Sequence, residues 1–206
     1  MPLPSLPTVG SDVDSWGTDL NAYLTALAAR PQLVPGWTSG RWYAAKSAIP
    51  SGHGSTQALL ANYIYATPIW VPEARAIDKV GFAVQAGVAA SNARLMAHAM
   101  LDNGLPGDLI ADFGLVGTAT AGDKEIDLLT TTLPAGLLYL TCIPDAAIVA
   151  YKFDFGNWQG LGATGQAGEV GSPYRNSGGT TAPNPFGTSG VGYFTVGVLR
   201  LAVRAA

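Results

Sequence analysis

Between Trp42 and Ala147 the chain repeats one pattern: a short run of strand-forming residues, then a turn. Trp42-Tyr43-Ala44 opens the series, and Tyr63-Ile64-Tyr65-Ala66-Thr67-Pro68-Ile69-Trp70-Val71 continues it with aromatic and β-branched side chains suited to a pleated, half-buried surface. Val80, Phe82 and Val84 alternate with Gly81, Ala83 and Gln85; Leu95, Ala97 and Ala99 alternate with Arg94, Met96 and His98; Ile126 and Leu128 alternate with Glu125 and Asp127. A two-residue apolar period places one face of each strand on a core. Leu137 to Ile143 is an apolar run without alternation, as suits a strand buried on both faces or an interface. Asn103-Gly104-Leu105-Pro106-Gly107 reads as a turn, and Leu133 to Leu140 as a hairpin. These features predict a mostly β chain: an antiparallel, jelly-roll-like β-sandwich over residues 41–206, with its main strands at 60–150, preceded by a short N-terminal helix.

The flanks differ from this central region. Pro2, Pro4 and Pro7 make residues 1–10 an extended arm. Residues 12–29 are the one good helix candidate, with Trp16, Leu20, Tyr23, Leu24 and Leu27 recurring on one face. Ser11 and Asp12 offer N-cap oxygens, Asp14 adds negative charge near the helix start, and Pro31 ends the run. The apolar stripe suits oligomerisation in a short parallel bundle, or packing against the chain's own sandwich. The first domain is therefore set at residues 1–40, an attachment arm and helix. Residues 154–192 form a long Gly-rich segment carrying Phe155, Trp158, Tyr174 and Phe186, with Tyr193 just beyond it. Structureless loops longer than about 15 residues are uncommon in compact domains unless they serve a function or are disordered. Tyr193 to Val203 is expected to return as a final strand, making the Gly-rich segment an excursion tethered at both ends.

Charged residues make up only 12% of the chain, against roughly a quarter in ordinary domains. Burial of uncharged surface in an assembly is the simplest consequence. A net charge of −3 leaves no electrostatic footprint for nucleic acid. No apolar stretch approaches the ~20 residues of a membrane span, and the proline-rich start lacks the form of a signal peptide, so synthesis in a cytoplasm is expected. Cys142 alone allows neither an internal disulfide nor a cysteine-based zinc site, and reads as a small buried hydrophobe.

Chemistry-bearing constellations are sparse. Polysaccharide hydrolysis usually needs two carboxylates flanking one bond, but the acids here are scattered: Asp102, Asp108 and Asp112 around the Pro-Gly turn, Asp154 and Glu169 in the Gly-rich segment. Asp102-Asn103-Gly104 lacks the spacing of a calcium loop. His53, between two glycines, reads as an exposed loop residue; neither it nor His98 neighbours a nucleophile motif, and the glycines do not form a phosphate loop. No enzymatic activity, metal or cofactor is expected. Trp158 with Gln159, Tyr174-Arg175-Asn176 and Tyr193 carry a different chemistry. Aromatic faces stack on the apolar C–H face of a sugar while amide and guanidinium groups bond its hydroxyls. These residues are the candidate glycan ligands; the alternative is that the aromatics anchor the segment to the sandwich or to a neighbouring subunit.

Leu6-Pro7-Thr8-Val9-Gly10 and Asp14-Ser15-Trp16-Gly17-Thr18-Asp19-Leu20-Asn21 resemble the N-terminal segment common in bacteriophage tail-fibre and related fibre proteins. The Tyr65-to-Pro72 strand, the Asn92-Ala93-Arg94-Leu95 strand, the Asn103-to-Gly107 turn and the Leu133-to-Leu140 segment are similar to β-sandwich domains of phage tail and receptor-binding proteins. The resemblance covers most of residues 5–150 and the final strand. It implies a virion component made in the host cytoplasm and assembled on the particle. It further implies a homotrimer that attaches to other virion proteins through residues 1–40 and faces host-surface glycan with its sandwich, without inserting in a membrane. The chain lacks the repetitive shaft of long fibres, so a stubby fibre, spike, baseplate, decoration or adaptor protein is implied. The resemblance carries over no catalytic residue.

Overall fold

Thirteen strands and no helix account for the regular structure of the described residues. The computed structural model describes residues 36–44, 55–153, 172–187, 189–194 and 198–206. The expected arm and helix, the stripe Trp16, Leu20, Tyr23, Leu24 and Leu27, His53 and Trp158 lie outside the described residues. All the strands belong to the compact unit Trp37–Ala206.

The larger sheet has seven strands. Its hub is β4 (Arg75–Ala86), which pairs with β7 (Gly122–Leu133), β13 (Leu201–Ala205) and β9 (Ile148–Phe153). The strand β1 (Trp42–Ala44) flanks β13, while β2 (Thr56–Leu59) and β12 (Val198–Leu199) flank β9. The smaller sheet runs β11 (Gly192–Phe194), β10 (Ser172–Asn176), β3 (Tyr63–Val71), β8 (Gly136–Pro144), β5 (Asn92–Met100), β6 (Pro106–Gly117). Every pairing in both sheets is antiparallel.

Both sheets contribute to one apolar core. Tyr65, Ile69, Leu95, Leu138 and Leu140 come from the smaller sheet; Ile77, Val80, Val84, Ile148 and Leu201 come from the larger. Fully burying each such side chain contributes about 1.5–3 kcal/mol, and the alternation read along β4 supplies its row directly. The Thr67 hydroxyl donates to the Leu199 carbonyl at 3.1 Å, joining the sheets by a buried hydrogen bond. Tyr65 receives the Leu60 N–H on its hydroxyl at 2.6 Å, and burial pushes its pKa up to about 12 against the opposing effect of that bond. Burial also pushes the Cys142 thiol well above its ordinary range, so it stays a protonated apolar filler.

Two connections differ from the sequence expectation. The Asn103–Gly107 turn does close a hairpin, β5–β6. The Leu133–Leu140 segment instead carries the chain from the larger sheet to the smaller one. Pro134 brings no N–H to extend a ladder, and Gly136 takes φ +124°, a backbone state that side chains resist. The expected final strand from Tyr193 to Val203 is likewise divided: β11 belongs to the smaller sheet, and β12 and β13 to the larger.

Candidate functional site

Of the sequence-derived glycan residues, the four that are described, Tyr174, Arg175, Asn176 and Tyr193, lie on β10 and its neighbour, and Trp158 lies outside the described residues. Tyr174, Arg175 and Asn176 lie on β10, and Tyr193 sits on β11 opposite Pro173. Strand alternation then turns the first two to opposite faces. Tyr174 faces the core beside its register partner Tyr65, with ring centroids 5.8 Å apart at 19°. The Tyr174 ring also lies against Gly192, where a Cβ would come within 2.9 Å of it. Arg175 faces outward, its guanidinium carbon 5.4 Å from the centre of the Phe186 ring. Its Nη1 donates to the Asn176 carbonyl at 3.2 Å, and its Nε is buried with no hydrogen-bond partner among the described residues. Asn176 is exposed and accepts the Gly178 N–H on Oδ1 at 2.8 Å, which starts the turn leaving β10.

From that turn, residues 177–187 cross the outer face of the smaller sheet as a strap. The Ser177 N–H donates to Asn62 O at 2.8 Å, Arg94 Nε donates to Thr180 O at 2.6 Å, and the Phe186 N–H donates to Gly107 O at 2.8 Å. Asn184 Oδ1 accepts the Leu109 N–H at 3.1 Å. Under the strap, Phe186 joins Ile64, Ala66, Met96, Tyr139 and Ile143 in a second apolar cluster. This explains a departure from the one-faced pattern read along β5, where Met96 and His98 are as buried as Leu95 and Ala97.

His98 is held on both ring nitrogens. Nε2 lies 3.1 Å from the Pro183 carbonyl, which can only accept, so Nε2 carries the proton. Nδ1, 3.1 Å from the Thr141 hydroxyl, then accepts from it. Burial lowers the His98 pKa below its ordinary 6.5; the Pro183 bond opposes that shift, and the Arg175 charge adds to it. Phe186 meets the imidazole edge-on at 5.8 Å.

The larger sheet presents a different outer face. Tyr43 turns toward the core and stacks on Trp37 at 4.7 Å, so its neighbour Trp42 turns outward and remains 40% exposed. The backbone of this edge is fixed by Gly40 N–H to Ala205 O at 2.8 Å and Ala205 N–H to Arg41 O at 3.0 Å. Ala202, Gly81 and Glu125 stand in one cross-strand register, and Ala83 stands opposite Asp123. Between Trp42 and the β7 carboxylates lies an open trough of about 200 Å³, with Arg200 also on its lining. Small residues keep the floor flat. At Gly81 a side chain would collide with the Lys124 carbonyl oxygen.

Charges around the trough are held in place by one another. Lys79 Nζ sits 3.0 Å from Glu125 and 2.9 Å from Asp127, and both carboxylates raise its pKa. Arg204 grips Asp78 through two bonds of 2.8 and 2.7 Å, which hold that carboxyl below its ordinary range. An aromatic face, fixed carboxylates and cationic donors around a small-residue floor can bind a polyhydroxylated ring.

The sequence pointed to β10 and missed the trough. Trp42 read only as a strand opening, and Asp123, Arg200 and Ala202 were not singled out. The one local signal was the Trp42-Tyr43 pair, in which two adjacent aromatics on a strand must face opposite ways. No family model and no curated protein matches the chain.

Proposed function

We propose that this chain is a non-enzymatic virion fibre or spike protein that binds host cell-surface polysaccharide on a jelly-roll-like β-sandwich, as a homotrimer attached through residues 1–40. The observation that carries the binding part is the open trough beside Trp42, which combines a stacking surface with hydrogen-bonding groups of both kinds. The frequent passage of consecutive strands from one sheet to the other supports the jelly-roll-like reading. Asp123 and Glu125 stand two residues apart on one strand and so line one wall, whereas a glycosidase places its carboxylates on opposite sides of the scissile bond. That arrangement favours binding over hydrolysis. Low charge and the Trp16–Leu27 stripe support assembly.

Purified protein titrated onto host cells tests the reading: saturable binding competed by isolated surface polysaccharide is expected, and absence of binding at any oligomeric state would reject it. Sedimentation should give three copies; a monomer contradicts the trimer. A second reading, an adaptor or decoration protein that contacts only other virion proteins, draws on the exposed apolar side chains Trp70 and Leu129. It predicts burial of both in the assembled particle and no competition by polysaccharide.

A further inference from the structure

The trough has room for one sugar ring and no more. Pockets that engulf drug-sized ligands run to ~300–1,000 Å³; this one holds about 200 Å³ and opens to solvent. Its floor is backbone and methyl groups from Gly81, Ala83 and Ala202, so nothing projects to meet a substituent from below. Trp42 stands on the β1 side of the floor and the β7 carboxylates on the other.

We propose, building on the polysaccharide-binding reading, that this trough is a subsite for a single neutral hexopyranose residue of a longer chain. The C–H face of the ring stacks on Trp42, whose indole is the one large apolar surface exposed there. Hydroxyls on the opposite edge donate to Asp123 and Glu125, and one accepts from Arg200. Neutrality follows from charge. Asp123, Glu125 and Arg200 bring charge to the trough, whereas Lys124 alternates to the other face of β7 opposite Phe82 and bonds the Thr120 hydroxyl at 2.9 Å; Glu125 is already engaged by Lys79. A uronate or sialate would therefore gain no net attraction, and near Asp123 and Glu125 its carboxylate would be repelled. Because the trough opens to solvent, a bound ring can remain part of a longer chain, which an enclosed monosaccharide pocket would not allow.

Calorimetric titration of the full chain with methyl α-mannopyranoside, methyl β-galactopyranoside and methyl β-glucopyranoside tests this, with methyl β-glucuronide as the acidic counterpart. At least one neutral glycoside should bind with Kd on the order of 1 mM, as expected for a ligand of about 13 non-hydrogen atoms. The glucuronide should bind about tenfold more weakly or not at all. Trp42→Ala and, separately, Asp123→Ala should each weaken the neutral ligand about tenfold or more. Asp123 is exposed, so its truncation leaves the fold intact and keeps the test valid if Trp42→Ala unfolds. Arg175→Ala should leave affinity unchanged. Preference for the glucuronide, or affinity indifferent to both trough substitutions, overturns the subsite. If host polysaccharide still binds both variants normally, the subsite falls while the fibre reading stands; if wild type binds neither glycosides nor polysaccharide, both fall.

Discussion

Met96 and Glu125 both point away from the main core, one from each sheet, into opposite surroundings. Met96 is fully buried with Ile64, Tyr139 and Ile143 beneath the strap of residues 177–187. Glu125 is exposed and bonded to Lys79 at the edge of an open trough. The difference follows from composition at the outward positions. On β3, β5 and β8 these include Ile64, Ala66, Met96, Tyr139 and Ile143, which water would solvate poorly; a cover gains their burial, while the polar Arg94 and His98 among them bond to the cover. On β7 they are Asp123, Glu125 and Asp127, which a cover would have to desolvate. The covered face buries apolar surface, and the open face keeps its charges in solvent. The residues that looked most like ligands in the sequence, Tyr174 and Arg175, lie on β10, whose outward side meets the strap.

The covered face is most sensitive at Phe186, which is fully buried. Truncation to Ala removes the only aromatic ring inside the strap and should cost about 3–5 kcal/mol, as for other buried phenylalanines. Denaturant unfolding would read the loss, and limited proteolysis should then cut within 177–187. Unchanged stability would mean that the strap is not a structural cover. On the open face, Gly81→Ser places a side chain against the Lys124 carbonyl and should cost about 1–3 kcal/mol, the range of overpacking. The same change raises the trough floor, so glycan affinity should fall alongside.

A smaller effect distinguishes the faces by pH. His98 is held neutral under the strap with its pKa lowered by burial. The unfolded chain therefore binds the proton more readily than the folded one. Stability from this site is present above about 6.5, the ordinary imidazole value, and is lost as pH falls from there through the lowered folded value. The denaturation midpoint should drop between pH 7.5 and pH 5 in wild type and drop less in His98→Gln; equal drops would remove His98 as the cause. The least effect is expected for Lys79→Met. Its ion pairs are exposed and offset by side-chain entropy, so the midpoint should barely move.

Local periodicity made some of this legible. The β4 row Val80, Phe82, Val84 is buried as its alternation requires, and the unbroken run at Leu137–Ile143 marks β8, central in its sheet and largely buried on both faces. The Asn103–Gly107 turn was recognisable from its residues alone. What escaped depends on parts of the chain far apart. His98 looks like a polar-face residue until Pro183 and Phe186 of the strap lie against it, and a segment's route across a sheet leaves no period in its sequence. The trough joins positions near 42, 81, 123 and 201, which only strand register brings into one plane. The crossing at Pro134–Gly136 shares its turn chemistry with a hairpin, so its residues could not separate the two.

Chemical-shift mapping of the chain against a neutral methyl hexopyranoside tests most directly whether recognition belongs to the open face. The largest shifts should fall on the Trp42 indole N–H and on the amides of Asp123, Glu125 and Ala202, with Arg175, Asn176 and Phe186 unmoved. Largest shifts on β10 and the strap, with Trp42 silent, would contradict the account.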